Sequence, residues 1–460
     1  MPNRIKRLKL TDLILNRQGS LVFRLALTAF GIALRLFFRR IETVNADVVP
    51  TGTGVIFVLN HPNGLVDPAL VFVALPRKIS FLAKSTLFRM PVISFLLKTV
   101  EALPLYRRID SGEDVSKNQV TFELCGDRLR RGGSIALFPE GISHNSPKLL
   151  PAKTGAARIA LGAVSVNGGR PLDLRIVPVG LFYTNKTTFR SEALLHFGEP
   201  FRVEPVELDE NGEPIREDVR KLTDRIESSL REVTLNAETN AQLHAARLAE
   251  EIFSAAETDE GPGGKLEFLK SFVSGTSATG EEAAIIKKVV EYDKKLDGYG
   301  LEPEHLSLAQ FTTKGVVQQA FLQIWPLILF APLSLVGVII HYPAYKLCGV
   351  VADRFSKHGA DDVASTVKVL AGMVFVPFTW LITAGVVFYF LGWEFALLSL
   401  PVTVVCGYLA MYSQEEVLEL SGWARAIWTY LTRRETFLRM FVERRELQHQ
   451  LRAYNNRGPD

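Results

Sequence analysis

The stretch that decides the fold of this chain reads Val55-Ile56-Phe57-Val58-Leu59, followed by Asn60-His61-Pro62-Asn63-Gly64-Leu65-Val66-Asp67-Pro68. Five consecutive apolar residues predict a buried strand. The Pro-Asn-Gly sequence after His61 prevents a helix from starting at once. Asp67-Pro68 then predicts a helix start, with Asp67 as the N-cap and Pro68 at the first helical position. A histidine and an aspartate therefore share one short turn between a strand and a helix.

The same alternation of strands and helices continues to residue 205. Ser134–Phe138 and Arg175–Phe182 are two more apolar runs of strand length. Helical patterns lie between the strands, at Gln119–Arg130 and at Thr154–Val166. Strands that alternate with helices are typical of an α/β domain, in which the helices cover the sheet. We therefore predict an α/β domain over residues 46–205.

His61 and Asp67 have the chemistry of a general base and its partner. If the turn folds back, the Asp67 carboxylate fixes the imidazole tautomer, and the other ring nitrogen can remove a proton from a hydroxyl. The alternative is purely structural, with Asp67 only a helix cap and His61 only a turn residue. The pair by itself leaves both interpretations open.

The segment around His61 resembles the His-Asp motif of the glycerolipid acyltransferases. The usual motif has four residues between the His and the Asp, whereas five separate His61 from Asp67. The fungal-type glycerol-3-phosphate/dihydroxyacetone-phosphate acyltransferases and their bacterial relatives are more similar, with His-x-Asn-x-x-Val/Leu-Asp-Pro. The resemblance implies a mixed sheet with flanking helices, and it implies that His61 and Asp67 are catalytic.

Other blocks of the family follow in order across residues 55–183. They are Leu103-Pro104-Leu105-Tyr106-Arg107-Arg108, Phe138-Pro139-Glu140-Gly141, Lys153-Thr154-Gly155-Ala156 and Val177-Pro178-Val179-Gly180. Ala83-Lys84-Ser85 also matches a family stretch. Ile142-Ser143 stands where Thr-Arg is commoner. The resemblance implies that the substrate-binding residues are Lys84, Arg107, Arg108, Glu140, Gly141, Lys153 and Pro178. Each block alone has a plainer interpretation, as a turn, a strand or surface charge.

The activity that the resemblance implies is direct acyl transfer. His61 would deprotonate a hydroxyl of glycerol 3-phosphate or 1-acylglycerol 3-phosphate, which then attacks an acyl thioester. Glu140 would bind the acceptor's hydroxyl and Arg107 its phosphate, and backbone N–H groups near Gly64 or Gly141 would hold the oxyanion. Acyl-CoA or an acyl-carrier protein would be the co-substrate, with no other cofactor.

Composition excludes several other classes of chemistry. The chain has no Gly-x-Ser-x-Gly elbow of a serine hydrolase. Its three cysteines, Cys125, Cys348 and Cys406, are too scattered for a disulfide framework or a metal site, so we expect inert thiols and no metal. A net charge of +4 over 460 residues argues against a nucleic-acid partner.

Residues 1–45 are predicted to form a basic membrane-surface segment. Residues 1–40 contain nine Lys or Arg and a single acid, Asp12. Leu21–Arg40 has a narrow polar stripe on an otherwise apolar helical pattern, which suits a membrane interface. The alternative is a helix packed on the core of the domain.

Residues 206–318 are predicted to be a polar helical region, to which the sequence assigns no chemistry. Arg216–Val233 and Gly280–Leu296 have helical patterns. We predict a flexible break at Asp259–Gly264, which contains three glycines and a proline.

Residues 319–412 contain three apolar runs, 324–345, 369–391 and 395–412, each near the length that crosses a bilayer. Lys and Arg cluster in the loop between the first two runs, whereas the turn at 392–394 has none. By the positive-inside rule the loop is cytoplasmic, and so are the Arg-rich helical tail at 413–460 and the catalytic domain. Both ends of the first run would then lie on one side, which favours a re-entrant segment over a span. Core helices of a large soluble domain are the alternative.

Three functions compete. The first is a membrane-bound O-acyltransferase of phospholipid synthesis. The second is an acyltransferase for another lysolipid acceptor, such as a lyso-ornithine lipid. The third is a non-catalytic lipid-binding protein with the same fold, for which the longer His61–Asp67 spacing and the missing Arg after Gly141 are the reasons.

Overall fold

A computed structural model describes residues 4–7, 21–64, 66–75, 77–89, 91–107, 112–165, 172–186, 188–254, 261–275, 280–303, 306, 313–356 and 361–455. The chain divides into two units. The first comprises Met1–Asn236, Gly261–Leu266 and Ser356–Val369. The second comprises Ala237–Glu260, Glu267–Phe355 and Leu370–Asp460.

The first unit is built on a mixed sheet, in which nine strands lie among the described residues. They are β1 (Ile5–Arg7), β2 (Phe38–Val44), β3 (Gly54–Leu59), β4 (Ser80–Lys84), β5 (Leu103–Leu105), β6 (Ser134–Leu137), β7 (Leu174–Tyr183), β8 (Ser191–Phe197) and β9 (Phe201–Arg202). The strand order is β1-β2-β8-β7-β3-β6-β4-β5, and β9 pairs with β7. The predicted α/β class with a mixed sheet is confirmed.

The centre of the sheet is parallel. Strand β3 pairs in parallel with β6 and β7, β6 with β4, and β4 with β5. All six residues of β3 are buried, as a continuous apolar run predicts for a strand covered on both faces. Because parallel strands point the same way, the residues after β3, β4, β5 and β6 meet at one edge of the sheet.

Among the described residues, six helices lie entirely in this unit: α1 (Leu21–Phe37), α2 (Val66–Ala74), α3 (Pro91–Thr99), α4 (Asn118–Arg130), α5 (Gly155–Ser165) and α6 (Arg216–Val233). Short 3₁₀ turns occur at Ala46–Val48, Ser85–Arg89 and Val115–Lys117. The apolar face of α6, with Val219, Ile226 and Leu230, shares a buried cluster with Ile56 of β3 and Ala160 of α5. The compact unit therefore continues past residue 205, the predicted end of the α/β domain.

The N-terminal helix is shorter than predicted. Helix α1 ends at Phe37, and residues 38–44, of which 38–40 were predicted as helix, form β2 between β1 and β8. The inner face of α1 is buried, with Phe23 packed edge-on against Phe72 of α2. Its outer face exposes the apolar side chains of Leu21, Leu25, Ile32 and Leu36. The helix thus packs on the core, as the alternative held, and also keeps an apolar outer face.

Seven helices follow α6: α7 (Asn240–Ser254), α8 (Gly261–Gly275), α9 (Gly280–Asp297), α10 (Thr313–Ser356), α11 (Asp361–Leu391), α12 (Trp393–Thr432) and α13 (Arg434–Asn455). The predicted flexible break at 259–264 is wrong for 261–264, which form the first turn of α8, while 259 and 260 lie outside the described residues. Gly261 has φ +68° at this start, a conformation that glycine adopts without strain.

Three of these helices are long and apolar enough to cross a membrane. The candidate spans are Ile324–Arg354, Val367–Leu391 and Trp393–Thr432. Residues 324–345, for which a re-entrant path is predicted, lie within one continuous helix, α10. Its internal prolines, Pro326, Pro332 and Pro343, do not end it. A proline removes one backbone donor, and in an apolar environment the other N–H groups stay bonded only within the helix.

The residues on either side of the apolar helices pack together inside the second unit. The Tyr292 hydroxyl of α9 donates to the Met440 carbonyl of α13, at 3.1 Å. The buried Arg444 guanidinium donates to the carbonyls of Pro303 and Leu306, at 2.5 and 2.8 Å. The segment before α10 and the helix after α12 therefore form one cluster.

Candidate active site

The site lies at the edge of the sheet where the parallel strands end. His61 follows β3, Lys84 ends β4, Arg107 follows β5 and Glu140 follows β6. The strands carry these residues to a common edge, although they are up to 79 positions apart in the sequence. Backbone hydrogen bonds join the loops, since the His144 N–H donates to the His61 carbonyl at 3.2 Å.

His61 and Asp67 form a hydrogen-bonded pair, with Nδ1 2.8 Å from Oδ2. A carboxylate can only accept, so Nδ1 carries the proton and Nε2 is the basic nitrogen of the ring. The Asp67 side chain is fully buried and 16% of the His61 side chain is exposed. The imidazole stacks on Phe138, with the ring centroids 4.0 Å apart. The pair has the arrangement that general-base chemistry requires.

Asp67 is not the N-cap that the sequence predicts. Helix α2 already begins at Val66, and Asp67 lies in its first turn. Its carboxylate accepts three hydrogen bonds from described residues. Besides His61, the donors are the Asn63 N–H at 2.7 Å and the buried Tyr183 hydroxyl at 2.6 Å.

Glu140 connects the two turns of the site. Its Oε1 accepts the His61 N–H at 2.9 Å, and its Oε2 accepts the Leu150 N–H at 2.9 Å. Oε2 also pairs with the His144 imidazole at Nε2. The Glu140 side chain is 1% exposed, and in this structure its carboxylate accepts hydrogen bonds from protein groups. Acceptor binding by Glu140 stays a prediction.

His144 has the opposite tautomer to His61. Its Nδ1 accepts the Ser146 N–H at 3.1 Å, so the proton lies on Nε2 and is donated to Glu140. The two histidines thus have different tasks. His61 presents a basic nitrogen. His144 donates to the Glu140 carboxylate, which accepts the His61 backbone N–H.

Asn60 anchors the His61 turn to strand β7. Its Oδ1 accepts the Leu181 N–H at 2.7 Å and its Nδ2 donates to the Leu181 carbonyl at 3.1 Å. A side-chain amide that bonds both the N–H and the carbonyl of one residue makes the same two hydrogen bonds as a residue of a neighbouring strand. This contact fixes the position of the turn on the sheet.

Two predicted anion-binding side chains meet at Gly141. Arg107 donates to the Gly141 carbonyl at 2.6 Å. A methyl group placed on Gly141 would lie 2.6 Å from the Lys153 Nζ, so the exposed Lys153 side chain lies directly over this glycine. Gly141 also has φ +75°. The two cationic groups therefore border one turn, next to Glu140.

The remaining predicted residues are placed as follows. Lys84 is half-buried at the end of β4, and Pro178 is buried in β7 opposite Val58. Arg108 lies outside the described residues. The Gly141 N–H, a predicted oxyanion donor, already donates to the Phe138 carbonyl at 3.0 Å, and the Asn63 N–H beside Gly64 donates to Asp67.

Burial raises the pKa of the Cys125 thiol to about 12. It therefore stays protonated at neutral pH, as expected of an inert thiol. Among the described residues, no group of three or more His, Cys, Asp and Glu is arranged to hold a metal ion.

Sequence reasoning missed Tyr183 and His144 as members of the site. Tyr183 reads as the last residue of an apolar strand, and only the sheet brings it to Asp67, 116 positions away. His144 carried a local signal, because it follows Glu140 by four residues in an irregular segment.

Comparison with known proteins matches two parts of the chain to families. Residues 40–181 match the family described as Acyltransferase. Residues 263–460 match the family described as Glycerol-3-phosphate acyltransferase 2 C-terminal domain. The chain contains an acyltransferase-family domain. It also contains a C-terminal domain of the glycerol-3-phosphate acyltransferase 2 type, which includes the three apolar helices.

Among the relatives of this acyltransferase-family chain are two yeast proteins from Saccharomyces cerevisiae. Glycerol-3-phosphate O-acyltransferase 2 is 31% identical over 296 residues, which cover 61% of this chain and 39% of that protein. Glycerol-3-phosphate O-acyltransferase 1 is 28% identical and covers 58% of this chain and 37% of that protein. The match thus spans less than two fifths of either yeast protein. The Lyso-ornithine lipid O-acyltransferase of Brucella abortus is 26% identical, over 50% of this chain and 73% of that protein.

Proposed function

We propose that this protein is a membrane-bound O-acyltransferase that moves a fatty acyl group from a thioester to glycerol 3-phosphate or 1-acylglycerol 3-phosphate. The observation that carries the proposal is the His61–Asp67 pair, with Nδ1 at 2.8 Å from Oδ2 at the carboxyl edge of the sheet. The acyltransferase-family match over residues 40–181 supports it, because this range contains the pair and most of its contacts.

The proposed reaction is a direct transfer. His61 Nε2 removes the proton of an acceptor hydroxyl as its oxygen attacks the thioester carbonyl, and Asp67 stabilises the imidazolium that forms. The tetrahedral intermediate then collapses, the C–S bond breaks, and the departing thiolate takes the proton from His61. The ester is formed without a covalent acyl-enzyme, and acyl-CoA or an acyl-carrier protein supplies the thioester.

Arg107 and Lys153 are the groups that we propose for the acceptor phosphate. Arg107 approaches Gly141 from β5, and Lys153 covers the same turn from the start of α5. A guanidinium can give a phosphate two parallel hydrogen bonds, and a nearby ammonium adds charge. Both side chains already border the turn that contains Glu140, so a phosphate here would lie beside the loop that carries His61.

The first experiment measures acyl transfer by the purified protein in detergent or vesicles. Labelled acyl-CoA or acyl-carrier protein is supplied with glycerol 3-phosphate or 1-acylglycerol 3-phosphate. We expect His61→Ala to lose activity by about 10²- to 10⁴-fold, the usual range for removing a general base. His449→Ala, which changes an exposed histidine of α13, is the matched control. Equal inactivity of the wild type and His61→Ala with every donor and acceptor would contradict the proposal and favour a non-catalytic lipid-binding protein.

A second candidate acceptor is a lyso-ornithine lipid or another lysolipid. The Brucella relative carries that activity in its name, and Ser143 replaces the commoner Arg of the family beside Gly141. A panel of acceptors with one labelled donor distinguishes the candidates. A glycerophosphate acceptor is supported if transfer requires the phosphate and Arg107→Ala raises the acceptor KM.

The membrane region supports a bilayer as the second partner. Its three apolar helices leave large hydrophobic side chains on their outer surfaces, such as Leu335 of α10, Phe388 of α11 and Leu398 of α12. A protein surface of this kind is stable only in lipid or in an assembly that covers it.

We propose that two of the three apolar helices cross the bilayer, rather than all three. Tyr292, Pro303 and Leu306 contact Met440 or Arg444 in one packed cluster, which places both flanks of the membrane region on one face in this proposal. An even number of crossings returns the chain to the face from which it left. The distribution of Lys and Arg favours α11 and α12 as the crossing pair, with the basic sequence at 346–368 and the α/β unit in the cytoplasm.

A further inference from the structure

We propose that Tyr183 is a positioning residue of the acyl-transfer site, whose hydroxyl holds the Asp67 carboxylate in the orientation that serves His61. The inference rests on the proposed function and deepens it. It extends the site from the His-Asp turn to the end of strand β7, which the family motif does not include.

The contact is short and fully enclosed. The Tyr183 hydroxyl donates to Asp67 Oδ1 at 2.6 Å, and both residues are buried. The other oxygen, Oδ2, accepts His61 Nδ1–H and the Asn63 N–H. Tyr183 thus bonds the oxygen that His61 does not use. With donors on both oxygens, the carboxylate cannot rotate about its Cβ–Cγ bond without breaking a buried hydrogen bond.

Tyr183 itself is held firmly. Its ring stacks on Phe38 at the start of β2, with the centroids 5.5 Å apart and the planes at 25°. Its backbone pairs with Ala193 of β8. Burial, and then the neighbouring Asp67 charge, raise the pKa of the Tyr183 phenol well above its usual value of about 10. The hydroxyl therefore remains a donor throughout the pH range of an enzyme assay.

The donor also matters for the charge on Asp67. A carboxylate removed from water needs hydrogen bonds to remain ionised. Besides Tyr183, the described titratable side chains near the His61–Asp67 pair are those of Glu140, His144 and Lys186. Glu140, paired with His144, accepts the His61 N–H, and the Lys186 carbonyl accepts a bond from Asn63 while its ammonium faces Asn145. None of these contacts replaces the bond to Oδ1.

The test is Tyr183→Phe, which keeps the ring and removes the hydroxyl. We expect kcat to fall by about tenfold, the value of one hydrogen bond to a charged group, with KM for donor and acceptor unchanged.

Tyr292→Phe is the matched control, because Tyr292 is also buried and its hydroxyl also makes one hydrogen bond, to the Met440 carbonyl. It should leave kcat and both KM values unchanged. The inference is overturned if a folded Tyr183→Phe protein keeps the wild-type kcat, or if Tyr292→Phe lowers kcat equally. If the wild type itself transfers no acyl group, the proposed function fails instead. Thermal melting of all three proteins separates a loss of folding from a loss of positioning.

Discussion

At the residue scale, the site is organised around two buried carboxylates with different duties. Asp67 accepts bonds from a histidine, a tyrosine and a backbone N–H, whereas Glu140 accepts from a histidine and two backbone N–H groups. Ionised carboxylates are costly to bury unless donors surround them. The donors include the His61 ring, which bonds Asp67, and the His61 backbone N–H, which bonds Glu140. The same hydrogen bonds therefore offset the desolvation cost of the two carboxylates and orient His61.

The glycine at 141 gives a prediction at this scale. Gly141→Ala must strain a residue at φ +75° and displace the Lys153 side chain, whose Nζ lies 2.6 Å from the new methyl position. We expect a loss of about 1–2 kcal/mol of unfolding free energy and a higher acceptor KM. Thermal or chemical unfolding and acceptor titration are the measurements.

Gly112→Ala separates the backbone strain of the substitution from the displacement of the Lys153 side chain. Gly112 has φ +76°, but no atom lies within 4 Å of its added methyl group. It should show the backbone cost without the change in KM. If both variants raise the acceptor KM alike, Lys153 is not the cause.

At the element scale, the apolar helices meet through small residues rather than through a hydrophobic core. Helix α10 crosses α12 where Gly337 faces Cys406, and Ser334 hydrogen-bonds Ser413 nearby at 2.7 Å. His341 accepts the Trp380 indole N–H of α11 at 2.8 Å. In lipid, small residues allow close packing and polar side chains join helices, because no hydrophobic effect drives helices together.

The crossing at Gly337 can be tested with a pair of glycines in the same helix. A methyl group on Gly337 would lie 2.0 Å from the Cys406 carbonyl oxygen, whereas a methyl group on Gly349 meets no atom within 4 Å. We expect Gly337→Ala to lower the melting temperature of the protein in detergent by several degrees. Gly349→Ala should leave it unchanged or raise it slightly. A Gly337→Ala protein as stable as the wild type would contradict this crossing.

At the scale of the whole molecule, the cluster that flanks the apolar helices is the basis for the proposed even number of membrane crossings. Arg444 and the carbonyls of Pro303 and Leu306 are within one hydrogen bond of each other, although 138 or more positions separate them. A bilayer core of about 30 Å cannot lie between groups in direct contact.

Single-cysteine labelling in intact cells and in inverted vesicles tests this arrangement, in a variant without the native cysteines. A cysteine at Glu291 of α9 and another at Glu446 of α13 should react from the same side. Glu394→Cys at the start of α12 should react from the opposite side, and Lys357→Cys, between α10 and α11 in the sequence, from the side of α9. Labelling of 291 and 446 from opposite faces would mean three crossings. Labelling of 357 together with 394 would mean that α10 and α12 are the crossing pair.

The sequence by itself determined three strands at the centre of the sheet, the helices α4, α5 and α6, and the His61–Asp67 pair. Strand β3 begins one residue before the predicted Val55, and α4 and α5 agree with prediction to within one residue at each end. These features depend on apolar periodicity and on Gly, Pro and Asn in turns, which act over a few neighbouring residues. The His61–Asp67 contact was foreseeable for the same reason, since only six positions separate the two residues.

Tertiary structure alone decided which distant residues complete the site and how the apolar helices pack. Tyr183 reaches Asp67, and Asn60 reaches Leu181, because β7 lies beside β3 in the sheet. Asp67 does not cap helix α2 as predicted, because buried donors bind its carboxylate more strongly than the N–H groups of a helix end would. Residues 324–345 lie in one continuous helix despite three prolines, because the remaining backbone hydrogen bonds stay within the helix. The contacts of Tyr183 with Asp67 and of Asn60 with Leu181 join groups that are far apart in the sequence, and only the folded chain brings them together.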